Sequence, residues 1–335
     1  MVKAFRDNGV DVLYVTDLLG GKDAAIRKYL QRQFKKAASK IQRLDLHIKG
    51  AIAEAQEMMT SSPVDGLLLG LESGKRFSQL PYETRLEVYA KLGTLMPQTS
   101  LYYTQDPVIS SPKGLIKSKM SMPIRRQEPD IVEIALGSEH YIHRMRNMAE
   151  GGDVTMWSYR QKNGSMAERT MLFGINRLSG RSIGEEINYL KGRFGVGGIV
   201  EFYAPDFFHP SEGYQTGNVE HDDTIKMPID EGELLANIRL LKGSHVIDNI
   251  DKGKHFIGYE WVKRNRFEIV EVPDEEQLRW GTNAVPLGKR KVYSADDLDK
   301  TNGNLVKAGF SVVATKLTAL KRGFGSAHCM TAYLR

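Results

Sequence analysis

The sequence predicts an α/β fold of small repeated modules, with a helical segment inserted near its amino terminus. Three observations support this class. After Pro97, short β-branched runs alternate with helical stretches in a strand–strand–helix–strand order. From Asp17 to about Leu95 the periodicity is helical instead. The hydrophobic fraction of 41% and the charged fraction of 26% are those of an ordinary globular chain, so both parts can bury a core.

Residues 1–17 predict a helix followed by a strand. Val2–Asn8 has a helical pattern, whereas Gly9–Val15 alternates and is β-branched, as strands are. This order is typical of the middle of an α/β unit rather than the start of a domain. We therefore expect residues 1–17 to be a remnant of a first module.

Residues 18–98 predict a helical insertion. Apolar residues recur on one helical face in two successive stretches, namely Ile26, Tyr29, Leu30 and Phe34, then Ile48, Ile52, Ala55 and Met59. Pro63 breaks the pattern, and Pro81 marks the start of a further helix. Much of the excess positive charge lies in Lys22–Lys49, which we interpret as the solvated outer face of these helices.

Residues 99–335 predict the main α/β part. Strands are expected at Leu101–Thr104, Asp153–Arg160, Arg169–Ile175, Gly198–Tyr203, Thr224–Ile229, His255–Tyr259, Ala284–Leu287 and Ser311–Ala314. Helices are expected at Ser182–Lys191, Gly232–Arg239, Asp274–Leu278 and Leu298–Lys307. No long linker separates this part from the helical segment.

Composition argues against several classes of protein. The net charge of +6 comes from 47 basic and 41 acidic residues that are interspersed, without a zinc knuckle or P-loop, so we expect no nucleic-acid partner. The longest apolar runs fall far short of the ~20 residues that cross a bilayer, so we expect no membrane association. The amino terminus has no apolar leader, and a single cysteine forms no internal disulfide. These features predict a cytoplasmic protein.

Four short segments combine carboxylates, a histidine and the only cysteine. In chain order they are Tyr102–Pro107, Glu150–Asp153, His221–Thr224 and Gly323–Met330. Taken singly, each is typical of a structural role, because an aspartate before a proline usually forms a turn and a lone cysteine is usually a small buried hydrophobe. Only their combination indicates chemistry.

Two other kinds of site compete for these residues. His221 and Asp223 have a spacing that suits two metal ligands on one strand, but no further ligand completes a zinc set, so we expect no metal. A cysteine protease of the papain type is disfavoured because His221 precedes Cys329 and the papain motif is absent around Cys329.

In this order, the four segments resemble the arginine deiminase branch of the guanidino-group-modifying (pentein) superfamily. The motifs of that branch are an aromatic residue followed by Thr-Arg-Asp-Pro, then Glu-Gly-Gly-Asp-Val, His-Leu-Asp-Thr and a glycine-rich run ending in Cys-Met-Ser/Thr. The matching residues here are Tyr103–Pro107, Glu150–Val154, His221–Thr224 and Cys329–Thr331, with Gly281–Asn283 and Lys300–Asn302 similar to pieces of the last module. The resemblance extends from Phe5 to the end. It implies a five-bladed α/β propeller, in which the first strand of the first blade is expected to be missing here.

The same resemblance implies covalent hydrolysis of a guanidinium group without a cofactor. Cys329 is expected to attack the guanidinium carbon, and His221 to give a proton to ammonia and take one from water. Asp106 and Asp223 are expected to grip the guanidinium, while Glu150 bonds to it and orients His221. The expected partner is therefore a small molecule, L-arginine or a related guanidine, and the products are L-citrulline and ammonia.

Arg125 and Arg177 are the expected ligands of the α-carboxylate of arginine. Arg125 matches the family position by an ungapped count from Asp106, whereas Arg177 matches only if the preceding hairpin carries an insertion. Both assignments come from the resemblance.

Three residues depart from the family pattern. Gln105 replaces an arginine, Asp222 replaces a leucine beside the histidine, and Ser100 stands where an asparagine is expected. A catalytically impaired arginine-binding relative therefore stays open as an alternative. An amidinotransferase stays open as well, because the sequence does not determine whether water or an amine is the second substrate, and so does a dimethylarginine hydrolase. The sequence also leaves the oligomeric state open, a homo-oligomer included.

Overall fold

A computed structural model describes residues 1–160, 166–175, 198–203, 225–321 and 325–334. The chain divides into two compact units. The first unit comprises Met1–Val12, Tyr103–Ser121 and Tyr141–Arg335, and the second comprises Leu13–Tyr102 and Met122–His140. The domain boundaries expected from the sequence, 1–17, 18–98 and 99–335, stay a prediction, because contacts alone do not show which segments fold independently.

The strands all lie in segments of the first unit. Within the described ranges they are β1 (Val108–Ser111), β2 (Gly114–Lys117), β3 (Tyr141–Arg144), β4 (Val154–Arg160), β5 (Met166–Ile175), β6 (Ile199–Tyr203), β7 (Lys226–Asp230), β8 (Glu233–Ala236), β9 (His245–Asp248), β10 (Lys254–Ile257), β11 (Glu268–Glu271), β12 (Val285–Gly288), β13 (Lys291–Ala295) and β14 (Ser311–Thr315).

The helices are divided between the units. The second unit contains α2 (Val15–Leu19), α3 (Asp23–Ile41), α4 (Leu46–Ser61), α5 (Pro63–Leu69), α6 (Lys75–Ser78), α7 (Tyr82–Leu92) and α8 (Glu128–Leu136). The first unit contains α1 (Val2–Asp7), α9 (Ile238–Gly243), α10 (Gly258–Arg264), α11 (Asp274–Gln277), α12 (Asp299–Lys307) and α13 (Thr318–Lys321).

One module recurs four times in the described part of the chain. In each copy two antiparallel strands are followed by a third strand that pairs in parallel with the second. The copies are β1–β2–β3, β4–β5–β6, β7–β8–β11 and β12–β13–β14. A parallel return needs a crossover connection, which is supplied by α8 in the first copy and α12 in the last. The predicted α/β class and its strand–strand–helix–strand modules are confirmed.

The second copy carries an additional hairpin. Strands β9 and β10 pair with each other, and β9 pairs antiparallel with β6, so that sheet has the order β10-β9-β6-β5-β4. The closed five-bladed propeller implied by the resemblance stays a prediction, because the described sheets show the modules and not their closure.

Aromatic side chains anchor the cores of the first unit. Trp261 packs edge-on against Phe202 at 5.3 Å between ring centroids, and its indole N–H donates to Asp248 at 2.7 Å. Phe5 of α1 packs against Tyr293 of β13 at 4.9 Å. The helix that begins the chain is therefore part of the last module's core.

Three predicted elements differ from the structure. Gly9–Val15 is not a strand: Val10 and Val12 pack against the core of the last module, but the segment joins no ladder in the described ranges. Leu101–Thr104 forms turns. Gly232–Arg239, predicted as a helix, contains β8, because pairing with β7 and β11 overrides its local helical preference.

The second unit follows the predicted helical periodicity. Helices α3 and α4 bury the two predicted apolar faces, namely Ile26, Tyr29, Leu30 and Phe34, and Ile48, Ile52, Ala55 and Met59. Among the described helices, none combines the length and the apolar character that crossing a membrane demands. The predicted helices Val2–Asn8, Asp274–Leu278 and Leu298–Lys307 are also confirmed, whereas Ser182–Lys191 lies outside the described residues.

Candidate active site

Cys329 lies in a buried turn that is attached to the first motif. Its carbonyl accepts a hydrogen bond from the backbone N–H of Gln105 at 3.1 Å. The next carbonyl, that of Met330, accepts from the hydroxyl of Thr104 at 2.9 Å. These two bonds place the cysteine turn beside the residue that precedes Asp106.

The second motif is attached to the first in the same way. The N–H of Gly151 donates to the carbonyl of Asp106 at 2.9 Å, and the side-chain amide of Gln105 donates to the carbonyl of Gly151 at 3.1 Å. A Cβ at Gly151 would collide with two backbone carbonyls, of which that of Val108 would lie at 2.6 Å. Only glycine permits this approach. Three of the four motifs therefore meet within the first unit.

Glu150 and Asp106 bring two carboxylates into the buried part of this unit. Glu150 is 0% exposed and Asp106 is 2% exposed. One oxygen of Glu150, Oε1, accepts from the backbone N–H of Ser121 at 2.8 Å and from its hydroxyl at 2.9 Å. Two carboxylates in neighbouring motifs disfavour each other's ionised form, and a cation nearby favours it, so this arrangement is compatible with a cationic ligand.

Asn283, to which the sequence assigned no role, contacts the sulfur of Cys329 directly. Its side-chain Nδ2 donates to Sγ at 3.1 Å. Its Oδ1 accepts from the backbone N–H groups of His328 at 3.1 Å and Cys329 at 3.3 Å. The available signal was the family-like turn Gly281–Asn283 ahead of a strand, but nothing local in that turn indicates its partner.

The third motif lies outside the described residues, and so does one of the arginines. The residues concerned are His221, Asp222, Asp223, Thr224 and Arg177. Their predicted roles stay predictions. The chain continues at Ile225, which is buried among apolar side chains and whose carbonyl accepts from the N–H of Asn237 at 3.3 Å.

Arg125 lies in the second unit and forms a buried ion pair. Its Nε and Nη2 donate to Glu128, at 3.0 Å and 2.7 Å to Oε2. Both side chains are almost fully buried. One edge of the guanidinium is therefore used by Glu128, a geometry that charge-assisted pairs favour. A role for Arg125 in binding the α-carboxylate of arginine stays a prediction.

The part of the site that is described suits covalent chemistry on a cation. Cys329 carries a thiol, a group that can act as a nucleophile, beside a hydrogen-bond donor, and buried carboxylates belong to the motifs attached to it. Within the described ranges, no cluster of three or more histidine, cysteine, aspartate or glutamate residues could hold a metal ion.

Comparison with known proteins gives a consistent picture. The model of the family described as Arginine deiminase matches residues 1–186 and 242–335. The arginine deiminases of Listeria welshimeri and Latilactobacillus sakei are 22% and 24% identical to this chain, over 98% of it and 84% of their own lengths. Among solved structures, the substrate-bound amino-terminal domain of ArgZ, an arginine dihydrolase from the ornithine–ammonia cycle in cyanobacteria, has a TM-score of 0.53. It is 17% identical over 70% of this chain and 75% of that chain, a likeness of fold.

Proposed function

Because this chain belongs to the arginine deiminase family, we propose that it hydrolyses L-arginine to L-citrulline and ammonia. Membership of this family makes the chain a hydrolase that acts on a carbon–nitrogen bond of an amidine. The specific reaction with L-arginine is supported chiefly by one observation. The cysteine turn and the two carboxylate motifs are joined by direct hydrogen bonds in one unit.

In the first half-reaction, the thiolate of Cys329 attacks the guanidinium carbon and a carbon–sulfur bond forms. His221 donates a proton to one terminal nitrogen, the carbon–nitrogen bond breaks, and ammonia leaves. The remaining thiouronium is a planar cation, and Asp106 and Asp223 hold its N–H edges as they held those of arginine. Splitting the reaction at this intermediate replaces one difficult step with two easier ones.

In the second half-reaction, His221 takes a proton from water and the hydroxide attacks the thiouronium carbon. The carbon–sulfur bond then breaks, Cys329 leaves as a thiolate, and the ureido group of citrulline is formed. Glu150 carries a negative charge that orients the imidazolium of His221 and stabilises it. The balance is one arginine and one water for one citrulline and one ammonia.

The direct test is product analysis with L-arginine as substrate. We expect citrulline and ammonia in equal amounts from the native chain, and none from Cys329→Ser, whose hydroxyl does not ionise as a thiol does. The circular dichroism of the variant should be unchanged, since the substitution is nearly isosteric. Turnover by the serine variant would contradict the covalent route.

The same assay decides between the related activities. Addition of an amine acceptor should leave the citrulline yield unchanged, whereas an amidinotransferase would pass the amidino group to the amine. With dimethylarginine we expect much slower turnover than with arginine. Faster turnover of dimethylarginine would indicate a dimethylarginine hydrolase instead.

His221→Ala separates the two half-reactions. Its loss removes the proton carrier of both steps, so we expect turnover to fall by about 10²–10⁴-fold. Intact-mass measurement after incubation with arginine shows whether a thiouronium accumulates on Cys329, as expected if the water step is the more impaired. Native turnover in this variant would exclude the role.

A further inference from the structure

We propose that Asn283 is a positioning residue that holds the sulfur of Cys329 in place and stabilises its thiolate form. The proposal rests on the proposed role of Cys329 as nucleophile. It starts from the contact of 3.1 Å between Nδ2 of Asn283 and Sγ, both of which are buried.

The orientation of the Asn283 amide is fixed by its other partners. The backbone N–H groups of His328 and Cys329 can only donate, so the atom that faces them has to be the amide oxygen. The NH₂ group therefore faces the sulfur. A thiolate is a much stronger acceptor than a thiol, so a fixed N–H donor at this position favours the ionised sulfur.

The loop that carries Asn283 is held in a strained conformation. Trp280 is buried and has a left-handed φ of 65°, and Gly281 has no room for a Cβ, which would lie 2.9 Å from the carbonyl of Glu276. The N–H of Asn283 donates to the carbonyl of Trp280 at 3.0 Å. The loop is held by α11, because the N–H of Gly281 donates to the carbonyl of Glu276 at 2.9 Å. The carboxylate of Glu276 accepts from the N–H of Thr301 at 2.7 Å, which ties α11 to α12. Strain of this kind persists where the surroundings fix the backbone, and it recurs at functional sites.

A donor fixed in this way acts through the cysteine in both half-reactions. Before attack it stabilises the thiolate at the position from which the carbon–sulfur bond forms. When the thiouronium breaks down, the sulfur regains its negative charge and meets the same N–H group. Asn283 itself exchanges no proton and forms no covalent bond.

Asn283→Asp separates this role from a merely structural one. The aspartate keeps an oxygen for the two backbone N–H groups, so the turn stays anchored, but it places a carboxylate oxygen where the NH₂ group faced Sγ. A negative charge at that position disfavours the thiolate. Asn283→Ala, by contrast, removes both the anchor and the donor, so its effect alone would not distinguish the two roles.

The test measures Cys329 without requiring turnover. Because Cys329 is the only cysteine of the chain, alkylation by iodoacetamide reports this thiol alone. In Asn283→Asp we expect the midpoint of the alkylation rate against pH to move up by one unit or more, which is about a tenfold loss of thiolate at neutral pH. The kcat for arginine should fall at least tenfold, while the thermal unfolding midpoint stays near the native value.

Asn304→Asp is the matched control. It makes the same substitution in the same unit at a half-buried side chain, whose Nδ2 donates to the carbonyl of Glu271 at 2.9 Å. We expect it to leave both the alkylation profile and kcat unchanged. A native alkylation profile in Asn283→Asp would overturn the proposal. If the alkylation profile of Asn283→Asp is shifted but the native chain makes no citrulline, the positioning role is supported and the proposed function is refuted.

Discussion

At the residue scale, Arg125 has a structural role that the sequence did not indicate. Arg125 was expected to bind the α-carboxylate of the substrate, and it forms a buried pair with Glu128 of the same helical unit. Removing one partner of a buried pair leaves the other charge without its counter-ion, at a cost of about 3–5 kcal/mol. Any test of Arg125 in substrate binding therefore has to separate recognition from damage to the fold.

A contrast between two substrates makes that separation. Arg125→Ala should raise KM for arginine steeply, because loss of a charge-assisted pair with a buried carboxylate costs ~2–5 kcal/mol, roughly a thirtyfold to several-thousandfold fall in kcat/KM. Agmatine has no carboxylate, so its slow turnover should barely change. The same contrast is expected for Arg177. Steady-state kinetics with both substrates provide the measurement.

Glu128→Ala is the control for Arg125. It breaks the same ion pair, so it should lower stability to a similar degree while keeping the native preference for arginine over agmatine. Equal losses for the two substrates in Arg125→Ala would show damage to the fold rather than loss of recognition.

At the scale of elements, the contact between the first two motifs depends on a missing side chain. Gly151→Ala places a Cβ against the carbonyls of Gln105 and Val108, and Val108 is the first residue of β1, so relief of the collision would disturb that strand. We expect a loss of stability of about 1–3 kcal/mol or more, together with loss of turnover. Urea unfolding measures the loss of stability, and a citrulline assay under native conditions measures the loss of turnover.

Gly303→Ala is the matched control for that substitution. Gly303 lies in α12, where nothing is within 4 Å of the added Cβ and φ is helical. Alanine there should stabilise the chain by about 0.5–1 kcal/mol and leave activity unchanged. Equal behaviour of the two variants would contradict the steric account of Gly151.

Tyr89 of α7 is expected to make the stability of the second unit depend on pH. The hydroxyl of Tyr89 donates to Glu72 at 2.9 Å, and Arg85 pairs with the other oxygen of that carboxylate at 2.7 Å. Burial, and next the hydrogen bond to Glu72, raise the pKa of Tyr89 well above its ordinary value of 10.0. Since the folded pKa is raised, its stabilising contribution is complete below pH ~10 and is lost as the pH rises further.

The expected experiment compares the native chain with Tyr89→Phe between neutral and alkaline pH. At neutral pH the variant should be about 1 kcal/mol less stable, because one hydrogen bond is lost. Above pH ~10 its stability should decline less steeply with pH than that of the native chain. Tyr82→Phe, at an exposed tyrosine, should keep the native slope. Parallel curves for all three proteins would show that Tyr89 ionises as freely in the folded state as in the unfolded one.

At the scale of the whole molecule, binding of arginine should stabilise the folded chain without chemistry. In Cys329→Ser, a ligand at one hundred times its Kd adds about 2.7 kcal/mol to the free energy of unfolding. We expect the thermal unfolding midpoint to rise with arginine concentration, as followed by far-ultraviolet circular dichroism. Lysine, which lacks the guanidinium, should give no rise. A midpoint that arginine leaves unchanged would argue against an arginine site.

Features that are local along the chain were predictable from the amino-acid sequence. The apolar faces of α3 and α4 were predicted correctly, because helical amphipathicity depends on residues three and four positions apart. The repeated α/β modules were also predictable, because strand and helix patterns follow one another within each module. The four motifs identified the family because their order is a property of the chain and requires no contact.

Features that depend on partners distant along the chain are set by the packing of the folded chain. Strand β8 was mistaken for a helix because its pairing with β7 and β11 outweighs its own propensity. Gly9–Val15 has a strand-like pattern, and Val10 and Val12 nevertheless pack against a core without joining a ladder in the described ranges. Asn283 and Cys329 are 46 residues apart, and Arg125 gave no sign of its buried pairing with Glu128. Periodicity encodes which face of an element is buried, whereas only the packed chain determines which atom lies against the sulfur.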